Sequence, residues 1–183
     1  MEKFVINGGT KLHGDIYISG AKNSVVALLP ATLLLDVPVI LENVPQIKDV
    51  QICLSILRQL GAEVEELSTG TYRISCANVN SHVVPEKEAR AMRASYYFLG
   101  SLLGRFGQAK SYMPGGCHIG ERPIDQHLMV FESLGAHTNL TRRIGADGKE
   151  EFDAVELTAD PLTGSKEISF NVVSVGATMN AIL

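Results

Sequence analysis

The stretch PQIKDVQICLSILRQLGAE, residues 45–63, decides the fold. Residues 49–60 read as an amphipathic helix, and Gly61 stands where a left-handed C-cap belongs. Two strand patterns follow at 63–67 and 71–75, with Ser-Thr-Gly as the turn of a hairpin. Ahead of the stretch, 38–42 is a short strand. Residues 21–35 form a buried helix, apolar on nearly every side and kinked at Pro30. The same order returns around RPIDQHLMVFESLGAH, residues 122–137. A long helix over 86–106 and a strand over 110–113 lead into an amphipathic helix over 123–134, closed by Gly135. Strands near 136–141 and 152–157 then flank a polar turn. The chain is therefore a duplicated unit of buried helix, strand, amphipathic helix and two strands. A third round opens at KEISFN, residues 166–171, and enters a helix at Val175. Before the first unit, 3–7 and 15–19 alternate like strands.

Composition narrows the class. The chain has 183 residues, enough for one core and too few for two large domains. Its formal net charge of −4, with no basic run, excludes a nucleic-acid groove and attraction to an anionic membrane surface. The apolar run 25–35 is interrupted by Pro30 and is too short for a bilayer. The opening MEKFVINGG has no apolar core of a signal peptide. Three scattered cysteines without a CxxC pair, and five histidines without ligand spacing, argue against a disulfide framework or a metal site and fit a reducing cytoplasm.

Several residues point to chemistry. PGGCHIGERPID, residues 114–125, sets Cys117 in a glycine-rich loop five residues before Arg122. As a surface thiol it would be inert. Near cations and backbone amides its thiolate fraction would rise, and it could attack carbon or donate a proton. Cys53 and Cys76 lack this setting and read as packing residues. Lys22 and Asn23 open a helix after a glycine, where free N–H groups and a lysine suit a phosphate or carboxylate; the plain alternative is a solvated lysine. Arg93 is either an exposed helical arginine or one directed into a polar cavity, whereas Arg90 has the spacing to pair with Glu86. Arg122 precedes Pro123, a first-turn proline, and can clamp a phosphate at two points; the plain alternative for Asp125 is to balance the helix dipole. SVGA, residues 174–177, repeats the helix opening at Lys22. Three helix starts would then converge on one anionic ligand. His118 and His127 share no face and read as loop and helix-surface residues.

GAKNS, MRAS, PGGCHIGERPID and SVGAT, in that order along the whole chain, resemble the bacterial UDP-N-acetylglucosamine enolpyruvyltransferases. The sister family of shikimate-pathway enolpyruvyl transferases shares the duplicated fold but lacks the cysteine loop. The resemblance implies an α/β fold, an inverse α/β barrel of βαβαββ repeats with helices inside, and transfer of enolpyruvyl from phosphoenolpyruvate to the 3-hydroxyl of UDP-N-acetylglucosamine. That step commits material to peptidoglycan in the cytoplasm. It implies no cofactor and no metal, two small-molecule substrates as the only partners, and a monomer at full length. It assigns Cys117 as proton donor to phosphoenolpyruvate and fosfomycin target, and Lys22 and Asn23 to phosphoenolpyruvate. The nucleotide sugar falls to Arg93, Arg122, Pro123, Ile124, Asp125, Gln126, Ser174, Val175 and Gly176. Members of that family are more than twice as long. Residues 1–20 are therefore expected to complete a second domain, and 21–183 to form a catalytic domain unfinished in its third repeat. The last helix, MNAIL, has no polar exit, and a longer chain is expected. The missing part would hold a base aspartate and a closing arginine, so the expectation for these residues alone is little turnover. The competing expectation is a shortened paralogue that binds a nucleotide sugar without reacting.

Overall fold

The computed structural model describes residues 3–113, 124–145, 148, 150–164 and 167–183. Within them the duplication is explicit. In the first unit, helix α1 (Lys22–Ala31) runs through Pro30 into a 3-10 turn over Thr32–Leu34. Strand β1 (Val39–Leu41), helix α2 (Lys48–Leu60), and strands β2 (Glu63–Ser68) and β3 (Thr71–Ser75) follow. In the second unit, helix α3 (Glu86–Ala91) leads to helix α4 (Tyr97–Phe106). Then come strand β4 (Gln108–Tyr112), helix α5 (Asp125–Ser133), and strands β5 (His137–Ile144) and β6 (Glu150–Thr158). Helix α6 (Val175–Ile182) belongs to the third round.

Each unit folds its strands into an antiparallel sheet with the last strand in the middle, in the orders β1-β3-β2 and β4-β6-β5. The amphipathic helices end alike. Gly61 adopts φ 106° and Gly135 φ 88°, the left-handed region that a Cβ disfavours. Around Gly61, the Ala62 N–H donates to the Leu57 carbonyl and the Gly61 N–H to that of Arg58; around Gly135, Ala136 and Gly135 donate to Phe131 and Glu132. These are paired Schellman closures, which satisfy carbonyls left open at a helix end.

One core serves both units. It joins Leu29 and Leu33, Leu54 and Leu57 of α2, Tyr72 and Ile74 of β3, Phe98 and Leu102 of α4, Phe131 of α5, and Val155 and Leu157 of β6. Of the opening helices, α4 packs against both α1 and α6. Close approach of α6 to α4 depends on Gly100, where a Cβ would stand 2.8 Å from Asn180 Oδ1 and 3.0 Å from Leu183 Cβ.

Two sequence expectations need correction. The helix expected over 86–106 is broken: Met92 is extended (φ −147°, ψ 126°), and a 3-10 turn over Arg93–Tyr96 precedes α4. Burial of Met92 against Cys53 on α2, with their sulfurs 4.0 Å apart, outweighs helix propensity, and the Ser95 hydroxyl takes up the freed Ala89 carbonyl at 3.1 Å. No strand forms among residues 3–20; Phe4 and Tyr17 are 98% and 99% exposed, and strand backbone without a neighbouring strand gains no ladder.

Candidate functional site

A cleft of about 530 Å³ opens where the helix starts of different units meet. Lys22 and Asn23 come from the first turn of α1 and Asp49 from the first turn of α2. Arg93, Ala94, Tyr96 and Tyr97 come from the 3-10 turn and the start of α4, and His127 comes from α5. Val173, Ser174 and Gly176 border it at the start of α6. The break at Met92 puts Arg93 at the head of a turn on the cleft wall, the polar location that the sequence left open.

Among the residues expected to act, Lys22, Asn23, Arg93, Ser174 and Gly176 share this cleft. Lys22 is ion-paired with Asp49, a partner the sequence reading did not select. Only the packing of α1 on α2 brings Asp49 to the lysine. Ser174 caps α6: its hydroxyl accepts from the Ala177 N–H at 3.2 Å. Val175 is largely exposed and does not line the cleft. Ile124 packs against the core, and Asp125 lies in the first turn of α5. Gln126 is buried and turned elsewhere, its Oε1 accepting from the Asn171 N–H at 3.1 Å; it ties α5 to the segment leading into α6. Cys117, Arg122, Pro123 and His118 lie outside the described residues.

His127 is not a helix-surface residue. It is 7% exposed and faces the cleft, its ring tilted against Tyr96 with centroids 5.7 Å apart. Burial, then the Arg93 charge, depress its pKa from 6.5 to about 4, with Asp125 opposing. A buried imidazole here is therefore neutral at physiological pH. Cys53 and Cys76 are packing residues as expected, both buried; burial, then the charge of Asp49, pushes the Cys53 thiol up to about 12. Arg90 does pair with Glu86 at 2.8 Å, and it also meets Asp153 on β6.

The site thus gathers one lysine, one arginine, a neutral imidazole and the amide ends of two helices. That suits an anionic ligand with several oxygens. The sequence matches the family described as EPSP synthase (3-phosphoshikimate 1-carboxyvinyltransferase) over residues 6–183. The chain belongs to that family. Curated relatives agree in type. A protein named UDP-N-acetylglucosamine 1-carboxyvinyltransferase 3, from Caldanaerobacter subterraneus subsp. tengcongensis, is 47% identical over the whole chain, which covers 41% of that relative. A UDP-N-acetylglucosamine 1-carboxyvinyltransferase from Clostridium botulinum is 46% identical, with 42% of its length covered. The chain spans about two fifths of the length of these relatives, at their N-terminal end. Among solved structures, the enolpyruvyl transferase NikO from Streptomyces tendae aligns at TM-score 0.63 and 28% identity, over 85% of this chain and 32% of its own. An EPSP synthase from Acinetobacter baumannii aligns at TM-score 0.61 and 15% identity, over 92% and 37%, and speaks to the fold alone. The duplicated units are thus those of the enolpyruvyl transferase fold, present here as an incomplete α/β domain.

Proposed function

We propose that the cleft is the catalytic-domain side of a site that transfers enolpyruvyl from phosphoenolpyruvate to the 3-hydroxyl of UDP-N-acetylglucosamine, the first committed step of peptidoglycan synthesis. The observation that carries this reading is the convergence of Lys22, Asn23, Arg93 and the start of α6 on one cleft. The names of the relatives support the nucleotide sugar rather than shikimate phosphate as acceptor.

In the reaction the methylene carbon of phosphoenolpyruvate gains a proton while the sugar oxygen, giving its hydroxyl proton to a base in the rest of the full-length protein, bonds to the adjacent carbon. The carbon–oxygen bond to phosphate then breaks, and the methyl carbon returns a proton. Cys117 is assigned as the proton donor, with Lys22, Arg93 and Arg122 holding charge on phosphate oxygens. Residues 1–20 are assigned to a second domain, for which their exposed apolar side chains are suited. Residues 21–183 are assigned to the catalytic domain. Turnover is assigned to the full-length arrangement found in the relatives.

Fosfomycin tests this reading. Incubated with the drug and UDP-N-acetylglucosamine, the folded full-length protein is expected to carry one adduct, on the Cys117 peptide, by mass spectrometry. Cys53 and Cys76 stay unmodified because both are buried. An unlabelled Cys117 in folded protein removes the thiol from the mechanism.

A further inference from the structure

The contact between α5 and α6 contains a short relay that sets what His127 offers to the cleft. The Gly100 N–H of α4 donates to Asn180 Oδ1 at 3.2 Å. That bond fixes which way the Asn180 amide points, so its Nδ2 faces His127 Nδ1, 2.7 Å away. An amide nitrogen only donates, so Nδ1 must accept, and the ring proton resides on Nε2. Asn180 is 2% exposed, and misorienting it would leave a buried donor against a donor. Nε2 lies beside Gly176: a Cβ there would stand 3.1 Å from Nε2 and 3.0 Å from Cε1. Both His127 and Gly176 line the cleft.

We propose that the Gly100–Asn180–His127 chain locks His127 as a neutral Nε2–H donor to an anionic phosphate oxygen of the ligand, with Asn180 as the positioning residue. The ligand's identity rests on the function proposed above; the tautomer does not. The arrangement has a physical rationale. Arg93 and Lys22 already supply charge to the same cleft. A second charged arginine-like group beside Arg93 would be repelled, whereas a neutral N–H adds a directed hydrogen bond without that cost. The groups facing the ring are Arg93 and Tyr96 from the 3-10 turn, Tyr97 from α4, Asp125 on its own helix and Asn180 from α6. Asn180 supplies a donor to Nδ1, which opposes protonation there. The relay also joins the second unit to the third, since α4 and α5 of the one and α6 of the other each contribute one member.

Two measurements on the full-length protein test the proposal. With 15N-labelled histidine, two-bond proton–nitrogen spectra at pH 6.5, the ordinary histidine pKa, are expected to show His127 as neutral Nε2–H. In Asn180→Asp, a carboxylate oxygen replaces the donor, and the same spectra should change to Nδ1–H or imidazolium. An Nδ1–H or imidazolium pattern in the unsubstituted chain, or an unchanged pattern in N180D, overturns the relay. In the second arm, phosphoenolpyruvate and UDP-N-acetylglucosamine are titrated separately, which tells the two phosphate sources apart. Saturation by one of them should shift the His127 Nε2 resonances. His127→Phe should weaken that ligand by about tenfold, and His127→Gln, whose amide nitrogen can reach the Nε2 position, should recover most of the loss. A bound ligand that leaves the Nε2 signal unmoved, or equal weakening by both variants, defeats the donor role while the proposed function stands. If neither ligand binds, the donor role and the substrate reading both fail, and the tautomer result is judged separately. Dispersed amide spectra confirm folding of each variant, and H127Q serves where H127F is unfolded.

Discussion

The two units of this chain share a topology and differ in what they do with it. Aligning α2 and α5 at their closing Leu-Gly-Ala places Cys53 and His127 at the same position, and likewise Leu57 and Phe131. In the first unit that position is dry: Cys53 is fully buried against Met92, and burial lifts its thiol to about 12. In the second it faces the cleft, and burial with Arg93 lowers the imidazole to about 4. One backbone slot therefore serves packing in one copy and polar recognition in the other. The difference lies in the neighbours. Cys53 packs on the apolar Met92, whereas His127 meets the Tyr96 ring and the Arg93 charge from the turn that opens just after Met92.

The strongest challenge to the likeness of the units is core truncation. Leu57 and Phe131 are both buried, at 0% and 1% exposure, and both accept the Schellman bond. Leu57→Ala is expected to cost about 2–5 kcal/mol and Phe131→Ala about 3–5 kcal/mol in urea unfolding. A near-neutral result at either site would show that its unit does not share the common core.

The contrast between Cys53 and His127 predicts a pH effect. The unfolded histidine binds its proton near pH 6.5, and the folded one only near pH 4. Between those values the unfolded chain holds more protons, so stability is full above pH 6.5 and falls as pH drops toward 4, by up to roughly 3 kcal/mol. Urea midpoints of the chain and of H127Q across that window should converge on acidification. Parallel pH profiles would mean that His127 is not held neutral by the fold.

Smaller effects follow at the helix closures. Gly61→Ala and Gly135→Ala each place a Cβ at positive φ, for about 1–2 kcal/mol. G61A should be the worse, because the new Cβ meets the Asn78 backbone carbonyl at 2.9 Å, while at Gly135 it meets the movable Thr163 side chain. Thermal unfolding ranks the two, and the reverse order would show that the second closure is the more rigid. The smallest effect is at Lys22. Asp49→Asn breaks an ion pair whose lysine is more than half exposed, so stability should change by less than about 1 kcal/mol. Affinity for inorganic phosphate, measured by calorimetry, should rise as the lysine loses its internal anion; unchanged affinity would mean that Lys22 does not meet the ligand.

Much of the fold was legible because local chemistry set it. The Leu-Gly-Ala closures of α2 and α5, the hairpin at Ser-Thr-Gly and the start of α6 at Val175 all depend on neighbours within a few residues. The break at Met92 was not legible, since MRAS has nothing that stops a helix; a buried sulfur contact from a distant helix stops it. His127 was misplaced for a related reason. A lone histidine on an amphipathic helix carries no sign of its depth, although its match to Cys53 across the repeat was a usable signal. Asp49 and Asn180 were invisible, because their partners are 27 and 53 residues away and are met only by helix packing.

By itself the sequence determined a duplicated α/β unit, its turns and helix ends, and the candidate residues at the helix starts, because each follows from periodicity, turn chemistry or backbone dipoles over short range. Only the tertiary structure decided which of those residues meet, that Lys22 faces Asp49, and that His127 is buried and neutral. Burial and charge proximity depend on distances through space, which the order of residues along the chain does not contain.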